Sequence, residues 1–221
     1  MGFLPAFFYV LNRLLSDCSP QMGLFIYYFY KQPLVAKKAP VGKMQPRKVY
    51  DFFWLEQADP ILSALPRNAA AIASRFDQGA ECLVAINGKL RDREFLGCGW
   101  FAYRRFQEDE VYCVYDFSSN QEAVWDFDIY VVPEQRMSRL FLRLWQRAES
   151  QLLEKGYQYS LSRISAYNPQ SIRSHERFGA QRIGWAVFLK LFKLQIMLSG
   201  KKPYLSLSWG HAGQPVLLFD Q

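Results

Sequence analysis

The sequence predicts a mixed α/β fold (an α+β mixed sheet) in which an antiparallel meander leads into a βαβ unit, with helices on both faces. Three observations carry that expectation. Short runs rich in aromatic and β-branched residues recur between turn signals from residue 80 to residue 132. A long amphipathic helical pattern follows at 137–155, where Leu140, Phe141, Leu144, Trp145, Ala148 and Leu152 make one apolar face and Gly156 ends it. A further strand pattern stands at 157–166, so the strands at 125–132 and 157–166 are joined by a helical crossover and are expected to be parallel.

The elements follow in chain order. Residues 4–16 read as an amphipathic helix with Asp17 and a Ser-Pro stop behind it. Residues 24–30 are a β-rich aromatic run, and 36–48 hold five cations, two prolines and a glycine, the composition of an exposed basic loop. A short strand is expected at 50–55. The Ala-rich stretch 58–77 contains two prolines, which predicts two short helices instead of one. Strands are expected at 80–86, 94–104 and 111–117, the first two joined through Asn87-Gly88, a hairpin signal, and the next two turning at 107–110. The strand at 125–132 ends at Pro133. After 157–166, Asn168-Pro169 opens a short helix over 170–178 that Gly179 closes. A long strand pattern at 182–194 and one more strand at 204–209 complete the chain, with no internal repeat.

Charge is unevenly placed along the 221 residues. Residues 1–50 carry seven basic and one acidic side chain, 51–134 seven and fifteen, and 135–221 thirteen and four, giving a formal net charge of +7. An acidic middle between basic ends argues for one anionic ligand and against a nucleic-acid partner; no helix-turn-helix or zinc-finger pattern is present. Half the residues are hydrophobic and 17% aromatic, which excludes a disordered chain. The apolar runs at 3–11 and 24–30 fall far short of the roughly 20 residues that span a bilayer, and the first makes a poor signal peptide. Four scattered cysteines without a CxxC, and two histidines remote from them, predict reduced thiols packed in strands, no metal site and a cytoplasmic protein.

Two segments resemble the GNAT superfamily of acyl-CoA N-acyltransferases. Asp128-Ile-Tyr-Val-Val-Pro133 followed by Glu134-Gln135-Arg136 resembles that family's fourth strand running into its pyrophosphate loop. Asn168-Pro-Gln-Ser171-Ile172-Arg-Ser-His175-Glu176-Arg177-Phe178-Gly179 resembles its strand-five asparagine and following helix. The resemblance covers roughly 48–195. It implies a GNAT-like domain at 48–195, preceded by a helix, strand and basic loop at 1–47 and followed by an extension at 196–221. The family's loop is glycine-rich so that the backbone can approach a pyrophosphate. Here Arg139 and Phe141 stand where glycines are expected.

The resemblance implies transfer of an acetyl or longer acyl group from acyl-CoA to a small-molecule or peptidic amine by direct attack, with no metal. Val131 and Val132 are then expected to offer backbone groups to the pantetheine arm, and Arg136, Met137, Ser138, Arg139, Leu140 and Phe141 to surround the pyrophosphate. Asn168 and Ser171 stand at the family's second cofactor position. His175 occupies the position of the family's acid, where an imidazole near its ordinary pKa of ~6.5 can protonate a leaving thiolate; a capping or exposed histidine is the alternative. Asp126 and Asp128 are expected on one face of a strand, as an amine-binding pair or as partners of nearby arginines. Arg136, Arg139, Arg143 and Arg147 form a helix stripe, suited to CoA phosphates or an acyl carrier protein, or simply solvated. A GNAT-like module without catalysis is the further alternative. Phe3, Phe7, Phe8, Leu11, Leu14 and Leu15, with the basic loop, suggest peripheral membrane contact or packing on the domain itself or on a second subunit of a homodimer.

Overall fold

The structure is a computed structural model that describes residues 3–35, 50–88 and 93–220, with side chains from residue 8 onward. In chain order its elements are α1 (Phe3–Cys18), β1 (Met22–Pro33), β2 (Tyr50–Trp54), a 3-10 helix (Pro60–Ala64), α2 (Ala69–Asp77), β3 (Glu81–Asn87), β4 (Glu94–Tyr103), β5 (Arg105–Gln107), β6 (Val114–Asp116), β7 (Ala123–Val131), a 3-10 turn (Pro133–Gln135), α3 (Leu140–Glu154), β8 (Tyr159–Ser165), α4 (Pro169–Arg177), β9 (Gln181–Leu191), β10 (Leu194–Ser199), β11 (Leu205–Trp209) and β12 (Val216–Leu218). The chain divides into two compact units that interleave in sequence. One takes residues up to Pro33, Arg104–Gln121 and Leu161–Gln221; the other takes Leu34–Tyr103 and Glu122–Ser160.

The second unit is an antiparallel meander, β2-β3-β4-β7, covered on both faces. Trp100 and Phe101 are adjacent on β4 and therefore point to opposite faces. On one side Leu140, Leu144, Trp145, Ala148 and Leu152 of α3 bury against Phe101, Leu83 and Ala85. At roughly 1.5–3 kcal/mol for each large apolar side chain, that stripe fixes α3 on the sheet. On the other side Phe76 of α2 stands edge-on to Trp100, with centroids 5.2 Å apart. Asp59 caps the first 3-10 helix and Asn68 caps α2, which is why two short helices replace one long one.

The first unit orders its main strands β11-β10-β9-β1-β8. β1 pairs with β9 from Met22↔Leu191 to Lys31↔Gln181, so the amino-terminal residues supply an inner strand. β5, β6 and β12 form a separate three-stranded sheet in which β12 runs parallel to β6. Phe29 holds its core, with ring centroids 5.5 Å from Tyr115 and 5.0 Å from Phe219. The Asn12 side chain accepts the Leu24 N–H at 2.8 Å, and Tyr9 meets Tyr167 edge-on, so α1 packs on its own unit.

Several expectations are revised. The strand expected at 111–117 shrinks to β6 and leaves the meander, so β4 pairs directly with β7. The strand expected at 182–194 breaks at Phe192, whose φ of +59° turns the chain into β10. α3 begins at Leu140, three residues later than the periodicity suggests, because Ser138 binds the Leu140 N–H through its hydroxyl. The basic loop at 36–48, the tip of the Asn87-Gly88 hairpin and the side chains of Phe3 and Phe7 lie outside the described residues.

Candidate functional site

The distinctive feature of the second unit is a bulge in β7. The β4–β7 register runs Gly97↔Val131, Cys98↔Tyr130, then Trp100↔Phe127, so three steps on β7 oppose two on β4. Asp128 takes the extra position with φ +50°, a left-handed conformation unusual for a side chain other than glycine. Gly99 lies opposite the bulge, and nearby Gly97 pairs with Val131, where a Cβ would stand 2.6 Å from the Tyr130 carbonyl oxygen, so only glycine fits there.

The bulge breaks strand alternation and separates the two carboxylates expected on one face. Asp126 pairs in register with Phe101 and shares the α3 side of the sheet. Phe127 and Asp128 both turn toward α2. Asp128 is gripped by Arg67 through Nε–Oδ2 at 2.8 Å and Nη2–Oδ1 at 2.5 Å, and by Arg75 Nη1–Oδ2 at 2.6 Å. The Arg75 side chain is 2% exposed and lies 5.1 Å from the Trp100 ring and 5.1 Å from that of Phe127. A fork bond and a third ionic bond fix the Asp128 side chain in place. Asp126 is buried and accepts a hydrogen bond from the Ser160 hydroxyl. Burial pushes its carboxyl up to about 7, against a smaller lowering by Ser160.

Beyond the bulge the chain reaches the start of α3. The Val132 N–H is taken by the Leu96 carbonyl at 2.9 Å, and the Val131 carbonyl accepts from Arg136 Nε at 3.3 Å. Ser138 donates to the Gln135 carbonyl at 2.6 Å while accepting from Leu140 N–H, so its hydroxyl serves the turn. Leu140 is buried, Phe141 half-buried, and Met137, Arg136 and Arg139 are exposed. The first turn of α3 has no acidic residue, and its N-terminal position Arg139 makes no side-chain cap. Two exposed guanidinium groups beside a helix start, that of Arg136 tethered through Nε to the Val131 carbonyl, fit an anion. The arginine stripe does not continue evenly: Arg143 lies 5.2 Å over the Tyr50 ring.

Asn168, Ser171 and His175 belong to the first unit. Asn168 is the cap of α4, its side-chain oxygen accepting the Ser171 N–H at 3.0 Å. His175 is 7% exposed, and burial pushes its imidazole down to about 4. At neutral pH that ring is uncharged, which removes the proton an acid at this position was expected to give.

Nothing local in the sequence marks Arg67 and Arg75 as partners of Asp128. The signal available was physical: a carboxylate in an apolar strand needs cationic partners, and the helix pattern at 58–77 carries two arginines, as the one at 137–155 carries three. Beside Arg67 lies a cavity of about 580 Å³ lined by Leu62, Ile72, Phe76 and Asp77 among others.

No protein-family model matches the sequence, and no curated protein matches it. Among solved structures, the GCN5-related glucosamine N-acetyltransferase region of a fungal multi-domain GH3 β-N-acetylglucosaminidase superposes with a TM-score of 0.51 at 13% identity, over 80% of this chain and 22% of that one. The fold is GNAT-like. A Drosophila protein gives 0.51 at 14% identity over 83% and 56% of the two chains. A GNAT-family acetyltransferase of Novosphingobium aromaticivorans gives 0.48 at 14% identity over 76% and 66%. The chain thus spans about a fifth to two thirds of the length of these structures. No helix among the described residues is long and apolar enough to cross a membrane.

Proposed function

We propose that this protein is an acyl-CoA-dependent N-acyltransferase that moves an acetyl or longer acyl group to an amine. The observation that carries the reading is the GNAT-like fold with a β7 bulge at Asp128 leading directly into an exposed, doubly basic start of α3. Arg136 and Arg139, with the first amides of α3, hold the pyrophosphate by side chains where a glycine-rich loop would use backbone alone. The amine nitrogen attacks the thioester carbonyl; the C–N bond forms, the C–S bond breaks and CoA leaves as a thiolate that takes up a proton from solvent. Asp128 serves as a fixed anion that locks Arg67 and Arg75 in place. With Asp126 buried and His175 neutral, the amine's proton goes to solvent.

Calorimetric titration with acetyl-CoA tests the reading. Binding is expected, weakened at least tenfold in Arg136→Ala/Arg139→Ala. No heat at millimolar acetyl-CoA, from protein whose fold is intact, overturns it for CoA donors. Acyl transfer from an acylated carrier protein in that case would move the donor and keep the chemistry.

A further inference from the structure

The outer strands of the first unit are amphipathic in the inverted sense. Along β10, Gln195, Met197 and Ser199 are buried while Ile196 and Leu198 are 37% and 50% exposed. Along β11, Ser208 is buried while Leu205, Leu207 and Trp209 are 63–66% exposed. The register brings the outward residues together: Ile196 faces Leu207 and Leu198 faces Leu205, with Leu189 and Val187 of β9 next in each row. Cross-strand partners share a face, so one side of β9-β10-β11 is a continuous apolar surface. The buried side keeps the polar groups, where Gln195 bonds both the Tyr112 N–H and its carbonyl at 2.8 Å. Burial in the first unit's own core therefore does not account for the leucines.

The charge around this face selects its occupant. Residues 181–219 contain five cations and no acidic residue; Lys190 shares the buried side with Gln195 and Lys201 packs over the Phe219 ring, which leaves Arg182, Lys193 and Lys202 for the outer face. Exposed Lys193 and Lys202 sit in the turns at either end of β10, and Arg182 lines a pocket of about 280 Å³ with Trp185 and Tyr28. Aromatic residues Trp209 and Phe192 stand toward one end, Trp185 and Tyr204 toward the other, with the aliphatic rows between. A second copy docked face to face would oppose like charges, and an acid-free apolar face suits neither bulk water nor a basic partner. Aliphatic centre, Trp and Tyr flanks and a cationic rim match the depth profile of an anionic lipid surface. We propose that the β9-β10-β11 face binds the surface of an anionic bilayer, a contact separate from the acyltransferase reading.

The full chain is mixed with vesicles of phosphatidylcholine alone or with 30% phosphatidylglycerol, and binding is read by flotation and by tryptophan emission. Expected are binding to the anionic vesicles, a blue shift that shrinks in Trp209→Phe and is lost when Trp185→Phe is added, and weakening with salt. Lys193→Glu and Lys202→Glu should each cost roughly fivefold or more in partitioning. Leu205→Gln/Leu207→Gln should abolish flotation while leaving the melting temperature within a few degrees. Absence of flotation with anionic vesicles overturns the proposal. So does a stable dimer in light scattering that Leu205→Gln/Leu207→Gln dissociates, since the occupant would then be a second copy.

Discussion

Replacing Asp126 by asparagine keeps the shape of the side chain and its bond to Ser160 while removing its proton equilibrium. The folded carboxyl sits at about 7 against 3.8 for a free side chain, with burial as the main cause. Below pH 3.8 both states are protonated and the group contributes nothing. Between 3.8 and 7 the unfolded chain ionises while the native state keeps its proton, so native stability falls by 1.36 kcal/mol per pH unit. Above pH 7 the loss is complete, at about 4 kcal/mol. Asp126→Asn escapes this penalty, and its stability advantage over the parent should grow by about 2–3 kcal/mol between pH 5 and pH 8. Urea unfolding at four pH values across that range measures it. Equal pH slopes for the two proteins would refute the account of a buried, neutral carboxyl.

Asp128→Ala takes a carboxylate away from the almost fully buried Arg75 and should cost about 3–5 kcal/mol; Arg67→Ala, at an arginine 44% exposed, should cost under about 1 kcal/mol by the same denaturation. The His175 ring, held down to about 4 by burial, should show no titration by proton NMR between pH 5.5 and 8. Its contribution to stability is full above the free value of 6.5 and declines as pH falls toward 4, as the unfolded imidazole takes up a proton first. Gly97→Ala forces a Cβ against the Tyr130 carbonyl and should destabilise by about 2 kcal/mol, visible as a lower melting temperature.

Local signals were legible in the sequence. The apolar stripe of α3, the Gly156 stop, the Asn168 cap and the twin prolines at 60 and 66 act over a turn or two, and each element stands near its expected place. What the sequence concealed depends on distant partners or on broken periodicity. The side chains at 126 and 128 read as one face because alternation assumes an unbulged strand, and nothing local marks the left-handed residue at 128. Phe192 hides a turn inside an apolar run. The parallel pairing of Val114 with Val216 joins segments a hundred residues apart and leaves no local trace. The outward leucines of β10 and β11 read as ordinary strand alternation, since a periodic pattern says which residues share a face and not which face is wet.

The pairing of β1 with β9 also sets an order of events during synthesis. Each residue of β1 waits for a partner at least 150 positions downstream. At about 5–20 residues per second, the ribosome needs roughly 8–30 s to deliver it. The second unit, whose last residue is Ser160, is complete before β9 emerges. Throughout that interval Tyr27, Phe29 and Tyr30 lack the antiparallel partner that later flanks them. The nascent chain therefore carries an unpaired aromatic strand, so holding it out of aggregation until the last third arrives becomes a requirement of the topology.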